Sequence, residues 1–99
     1  NMKRDDLIID CIRNPDKLIW GKETVSEARK RFGVAVEWLM PCDPAENVAV
    51  VSHGTVISIF IAQKLCVDPV PLWKSMGLPW LVEIYWPNPT KIIREISFN

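Results

Sequence analysis

One short segment combines residue types that could carry chemistry: residues 52–55, Ser-His-Gly-Thr, which follow the apolar run 48–51. That run is unbroken and mostly β-branched, which predicts a strand covered on both faces. Ligands of open α/β sheets bind beyond the carboxyl ends of strands, and the free N–H groups at the start of a following helix attract anions. The order strand, Ser-His-Gly-Thr, helix therefore predicts an anion site.

Three residues of this segment have distinct chemical uses. His53 is the one histidine of the chain, and an imidazole can donate to a phosphoryl oxygen or move a proton near neutral pH. Gly54 allows the backbone to approach an anion closely and can take a positive φ. Thr55 offers a hydroxyl that can cap the helix or donate to the anion. On these residues alone, a histidine that merely caps backbone groups stays an open alternative.

The residues before this segment predict two helices. Apolar residues at positions 7, 8, 11 and 12 share one helical face, which ends at Asn14-Pro15. Thr24 and Glu27 form a capping-box pattern before apolar residues that recur at helical spacing to position 39. Pro41 closes that second helix.

The residues after it predict helices and then strands. Thr55 caps an apolar helix from Val56 to about residue 66, whose nearly all-round apolarity implies deep burial. A short helix runs from Pro71 through residue 76, with Gly77 as its stop. Strands at 81–86 and 91–98 follow, joined by a hairpin-like turn at 87–90. The fold class is therefore α/β, with a mixed, mainly parallel sheet flanked by helices, in one domain over residues 1–99.

Composition excludes several classes of function. Twelve basic and twelve acidic residues cancel, and no basic stripe is visible, so we expect no nucleic-acid partner. The most apolar stretch, 48–62, is shorter than the ~20 residues of a membrane span and is interrupted by polar residues, so we expect no membrane association. A polar start without a signal peptide predicts a cytoplasmic protein. Cys11, Cys42 and Cys66 form no CxxC pair, so we expect free thiols, no metal site and no cofactor.

The segment around the histidine resembles a family motif. Residues 50–58, Val-Val-Ser-His-Gly-Thr-Val-Ile-Ser, are similar to the second-histidine motif of the histidine phosphatase superfamily, which includes the cofactor-dependent phosphoglycerate mutases. Residues 21–24, Gly-Lys-Glu-Thr, with Arg31 eight residues after Glu23, resemble that family's Gly-Glu-Ser helix start and helical arginine. Leu72-Trp73, residues 77–79 and the two final strands match its C-terminal course, so the resemblance covers essentially the whole chain.

The resemblance implies roles for the three site residues. It implies that His53 is catalytic, contacting the transferring phosphoryl group and stabilising its charge in the transition state. It also implies that His53, Gly54 and Thr55 bind phosphate, with backbone N–H donation from Gly54 and Thr55. The implied ligand is a phosphorylated small molecule or phosphate. Ser58 stands where many members carry an arginine, which favours a phosphatase over a mutase.

The resemblance further implies groups that this sequence does not contain. The family's nucleophile is a different histidine, in an Arg-His-Gly motif, and a second arginine and an acidic proton donor also come from the N-terminal half. Since the chain has a single histidine, we expect the C-terminal portion of an incomplete, truncated phosphoglycerate mutase-like domain, inactive by itself. Glu23 matches the helix start and is not expected to be the missing acid.

Three functions remain open at this stage. The first is phosphomonoester hydrolysis or transfer, and the second is a non-catalytic module that binds a phospholigand or a partner protein. The third is self-association: if the first strand of the family belongs beside 48–51, a lone copy exposes an apolar sheet edge. That edge predicts a homodimer, a strand exchange or marginal stability.

Overall fold

Four helices and two strands make up the fold in the computed structural model, which describes residues 2–40, 46–76, 80–86 and 88–97. The elements are α1 (Met2–Arg13), α2 (Val25–Leu39), α3 (Gly54–Leu65), α4 (Pro69–Ser75), β1 (Trp80–Ile84) and β2 (Ile92–Ser97). Within the described ranges, no helix has the length and apolarity needed to cross a membrane.

Helix α2 begins as its sequence predicts. The Thr24 hydroxyl accepts from the Glu27 N–H at 3.1 Å, and the Glu27 carboxylate accepts from the Thr24 N–H at 2.9 Å. This reciprocal pair is a complete capping box, which satisfies two backbone donors that the first turn leaves free. The helix ends at Leu39, and the proline predicted to close it, Pro41, lies outside the described residues.

Helix α3 is the most buried element. Residues 58–62 are all buried, which confirms the burial predicted from its apolar composition. The helix begins at Gly54, two residues before the predicted start at Val56, and its N-cap is His53 with an extended backbone (φ −78°, ψ 141°). The predicted cap, Thr55, instead lies inside the first turn.

Helix α4 begins at Pro69 rather than at the predicted Pro71. Asp68 is its N-cap, and its carboxylate accepts from the Val70 N–H at 3.0 Å. A proline at the first helical position costs no hydrogen bond, because that N–H has no helical partner in any case. The predicted stop, Gly77, lies outside the described residues.

The core consists of two clusters that α3 joins. Ile59 packs with Ile12 of α1 and Val70 of α4, while Phe60 and Ile61 pack with Val36 of α2. Because consecutive residues of α3 belong to different clusters, this helix fixes α2 relative to α1 and α4.

The sheet is a single antiparallel pair. Trp80 lies opposite Ser97, and the register shifts between Glu83 and Ile84. The two final strands are thus confirmed with slightly different bounds, although Phe98 and the first residue of the predicted turn, Pro87, lie outside the described residues.

The prediction of a mainly parallel sheet is wrong for the described residues, which contain only this antiparallel pair. The segment 48–51 is neither strand nor helix, and the Val51 side chain is 96% exposed. A strand needs a neighbour to satisfy its backbone N–H and C=O groups, and no described residue pairs with this segment. The segment 48–51 therefore has the composition of a strand, but among the described residues it has no partner strand.

Candidate functional site

His53 lines a cavity of about 250 Å³ between α2 and the first turns of α3. Its walls are Val25, Ala28, Arg31 and Phe32 from one side and Ser52, His53, Thr55, Val56 and Ile59 from the other. Val25, Ala28 and Phe32 recur at intervals of three and four, so they lie on one face of α2. The cavity thus combines an apolar floor with two nitrogen-bearing side chains, His53 and Arg31.

The His53 side chain is not used to hold the helix. It makes no capping hydrogen bond and is exposed, so the capping alternative left open by the sequence is not observed. The His53 carbonyl accepts from the Ile57 N–H at 3.1 Å, which is the first bond of the α3 ladder. Among the residues that the structure describes, the imidazole has no hydrogen-bond partner, so it can contact a ligand in the cavity.

The first turn of α3 supplies backbone donors beside the imidazole. The N–H groups of Gly54, Thr55 and Val56 precede the first intrahelical bond, so the helix itself does not use them. They lie at the positive end of the helix dipole, where anions are favoured. Together with His53, they place several hydrogen-bond donors at one end of the helix.

The structure requires a glycine at position 54 for a different reason from the one that the sequence suggested. Among the described glycines, Gly21 has a positive φ and Gly54 does not. A Cβ at Gly54 would lie 2.5 Å from Cε and 3.0 Å from Sδ of Met76. The absence of a side chain therefore makes room for the Met76 thioether, and Gly54 is not among the residues that line the cavity.

Thr55 links the site to α4. Its Oγ1 accepts a hydrogen bond of 3.2 Å from the Trp73 indole N–H, so the hydroxyl is held by a tertiary contact and caps no helix. Thr55 also lines the cavity. Of the three residues predicted to bind phosphate, the structure thus brings His53 and Thr55 to the cavity, with Gly54 between them in the chain.

Arg31 lines the cavity. Its run with Arg29 and Lys30 is typical of a solvated face, and a supporting role for Arg31 at the pocket is the alternative. The Arg31 Nε and Nη2 atoms donate to the two carboxylate oxygens of Glu23, at 3.1 and 2.8 Å. The hydrogen bond from Arg31 lowers the pKa of Glu23, and the same bond raises the pKa of Arg31. The spacing of Glu23 and Arg31 was visible in the sequence, but the packing of α2 against α3 was not, and that packing turns Arg31 to the cavity.

Ser58 lies in the interior. It is fully buried, and its hydroxyl donates to the carbonyls of Gly54 and Thr55 at 2.8 and 3.0 Å. The residue does not line the cavity. The Ser58 hydroxyl is thus satisfied within the first turn of α3 and does not face the cavity.

A second, larger groove of about 510 Å³ lies on another face of α2. Its charged lining residues are Asp16, Arg29, Lys30, Glu37 and Lys64. Lys64 is already placed over two aromatic rings, 5.6 Å from the centroid of Phe60 and 5.1 Å from that of Trp86. Across the described residues, no three His, Cys, Asp or Glu side chains group so that they could hold a metal ion.

In a comparison with known protein families, residues 4–83 match the model of the histidine phosphatase superfamily (branch 1). This span includes all the residues that line the His53 cavity. Searches of curated proteins and of solved structures gave no significant match.

Proposed function

The chain belongs to the histidine phosphatase superfamily, and we propose that it binds the phosphoryl group of a phosphomonoester in the His53 cavity and takes part in its transfer. The observation that carries the proposal is the position of His53, which lines the cavity and is the N-cap of α3, directly before the N–H groups of the first turn. A phosphoryl group needs concentrated hydrogen-bond donors, and this end of α3 supplies them.

The size of the cavity favours a small anionic group. Pockets for drug-sized ligands occupy roughly 300–1,000 Å³, and the volume here is about 250 Å³. The apolar floor formed by Val25, Phe32 and Ile59 can contact the carbon atoms of the alcohol. A phosphoryl group with a short part of its alcohol fits these properties.

We assign charge stabilisation, not nucleophilic attack, to His53. In phosphoryl transfer, donors that face the equatorial oxygens stabilise the charge of the transition state. His53 and the backbone N–H groups of Gly54 and Thr55 are suited to that role. The phosphohistidine route also needs the histidine of an Arg-His-Gly motif, and the one histidine here is preceded by serine. We therefore propose a partial, phosphatase-type site whose nucleophile comes from outside these 99 residues.

A phosphate titration followed by an aryl phosphatase assay tests this proposal on the chain and on its His53→Ala variant. We expect phosphate to bind the chain and to shift the amide signals of Gly54, Thr55 and Val56 in an NMR titration, with weak or absent binding in the variant. Equal binding by both proteins would contradict the role of His53. Turnover that disappears in the variant would instead show that His53 acts in a complete active site and would overturn the partial site.

Self-association is the second candidate function, and the exposure of the segment 48–51 favours it. Val48 is 41% and Val51 is 96% exposed, and the unpaired backbone of this segment can pair with a strand of a second copy. We expect Val51→Lys to lower the molar mass measured by light scattering at low micromolar concentration. Val67→Lys, at another exposed valine, is the matched control. A monomeric parent chain would contradict this candidate.

Cytoplasmic location and the absence of nucleic-acid and membrane partners stay predictions from the sequence. Within the proposed function, the ligand is the phosphorylated small molecule itself or free phosphate. No cofactor is needed for the charge-stabilising role assigned to His53.

A further inference from the structure

Arg31 is a cationic side chain at the same cavity as His53. It comes from α2, while His53 comes from the N-cap of α3, so the two groups approach the cavity from different elements. The Arg31 side chain is 71% exposed, so its guanidinium is accessible to a dissolved anion. The proposed phosphoryl-binding role of His53 leaves this guanidinium without an assigned task.

The guanidinium is only partly used within the protein. Its contacts with Glu23 use two of its five N–H donors, one on Nε and one on Nη2. Glu23 itself does not line the cavity. The carboxylate therefore holds one edge of the guanidinium from outside the cavity, and no acceptor for Nη1 is found among the described residues.

On the premise of the proposed function, we propose that Arg31 is the second anion-binding side chain of the His53 cavity and that Glu23 is the internal carboxylate that occupies Arg31 when the cavity is empty. The guanidinium fork matches the oxygen spacing of carboxylates and phosphates alike, so one group can serve both in turn.

The exchange of partners is physically reasonable because the internal pair is weak. Exposed ion pairs gain little from their attraction, since water screens the charges. A phosphoryl dianion carries more charge than a carboxylate, and in the cavity it also meets His53 and the first N–H groups of α3. Glu23 then acts against the ligand in two ways, by competing for Arg31 and by repelling the incoming anion.

The test is a titration with inorganic phosphate, followed by NMR, of four variants beside the parent chain. Arg31→Gln removes the cation and Arg31→Lys keeps the charge without the fork. Glu23→Gln removes the competing charge while preserving size. Lys30→Gln is the matched control, because it removes one positive charge from the same helix at the other groove.

We expect Arg31→Gln to weaken phosphate binding by about fivefold more than Lys30→Gln, as for the loss of a charge at ~4 Å in water. Arg31→Lys should retain part of the affinity. Glu23→Gln should strengthen phosphate binding by about threefold. If Glu23 were instead needed to position Arg31, the same substitution would weaken phosphate binding.

Two results would overturn this inference while leaving the proposed function intact. One is binding by Arg31→Gln equal to that of Lys30→Gln, and the other is weaker binding by Glu23→Gln. In both cases the parent chain would still bind phosphate and lose it on His53→Ala. Failure of the parent chain to bind phosphate would instead contradict the proposed function itself.

Discussion

The two cavities beside α2 differ in the balance of their charges. The larger groove has three cations and two carboxylates in its wall: Arg29, Lys30, Lys64, Asp16 and Glu37. The smaller cavity has Arg31 and His53, and none of its described lining residues is acidic. It also borders the unused N–H groups at the start of α3, where the helix dipole is positive. These differences favour the smaller cavity as the proposed anion site, because it has no acidic lining residue among those described and lies at a helix start.

Both cavities depend on α3 as a common wall, so the change with the largest expected effect is Phe60→Ala. Phe60 is buried, with its ring 5.1 Å from that of Phe32 and 6.3 Å from that of Trp86. Truncating a buried phenylalanine costs about 3–5 kcal/mol. We expect a loss of this size in the free energy of unfolding measured with urea. Val67→Ala, at an exposed valine, should cost less than about 0.5 kcal/mol, and equal losses would argue against α3 as the centre of the core.

The next largest effect distinguishes the two cavities by their hydrogen-bond donors. His53→Ala should weaken inorganic phosphate binding by about 10- to 100-fold, the value of a hydrogen bond to a charged group. Lys64→Gln removes a cation of the larger groove and should leave the affinity almost unchanged. The phosphate affinity of each variant can be measured by calorimetry or by NMR titration. A larger loss from Lys64→Gln would place the anion in the other groove.

A smaller effect concerns the start of α2, which both cavities share. Thr24→Ala removes the hydroxyl that accepts from the Glu27 N–H, and the loss of an N-cap costs about 1 kcal/mol. We expect a corresponding decrease in the urea midpoint. Ser26→Ala is the control, because Ser26 lies inside the first turn and is not the N-cap. Similar midpoints for the two variants would show that the capping box contributes little.

The smallest effect is the pH dependence of the Glu23–Arg31 pair. Because Arg31 lowers the pKa of Glu23, the folded protein binds this proton more weakly than the unfolded chain. The pair therefore stabilises the fold above the unfolded pKa of Glu23, and its contribution is lost as the pH falls through the lower, folded pKa. The difference in urea midpoint between the parent chain and Glu23→Gln should shrink from pH 7 to pH 3. A constant difference would contradict the linkage.

Helices were predictable because their signals are local. The capping box joins residues three apart, so the start of α2 was predicted, whereas α4 begins at Pro69, two residues before the predicted Pro71. The exact first residue of α3 was predicted less well. Its N-cap is a histidine with no side-chain cap, whereas the hydroxyl of Thr55 predicts an N-cap two residues later.

The sheet and the cavity were harder to predict because they depend on residues far apart in the chain. The run 48–51 has strand composition, but strand formation requires a partner that composition does not identify. Arg31 and His53 are twenty-two positions apart, and only the packing of α2 on α3 brings them to one cavity. The family resemblance identified His53 without that geometry, while the proximity of Met76 to Gly54 became visible only in the structure.

The bond from Trp73 to Thr55 gives the molecule a spectroscopic reporter at its site. An indole N–H proton gives an NMR signal apart from most backbone amides, and that of Trp73 is bonded to the hydroxyl at 3.2 Å. The indole of Trp80, bonded to Glu95 on the sheet at 2.7 Å, offers an internal reference in the same spectrum. A ligand that forms a hydrogen bond with the Thr55 hydroxyl should therefore shift the Trp73 indole signal and leave the Trp80 indole signal unchanged. The fraction of cavities that hold ligand can then be followed without labelling the ligand.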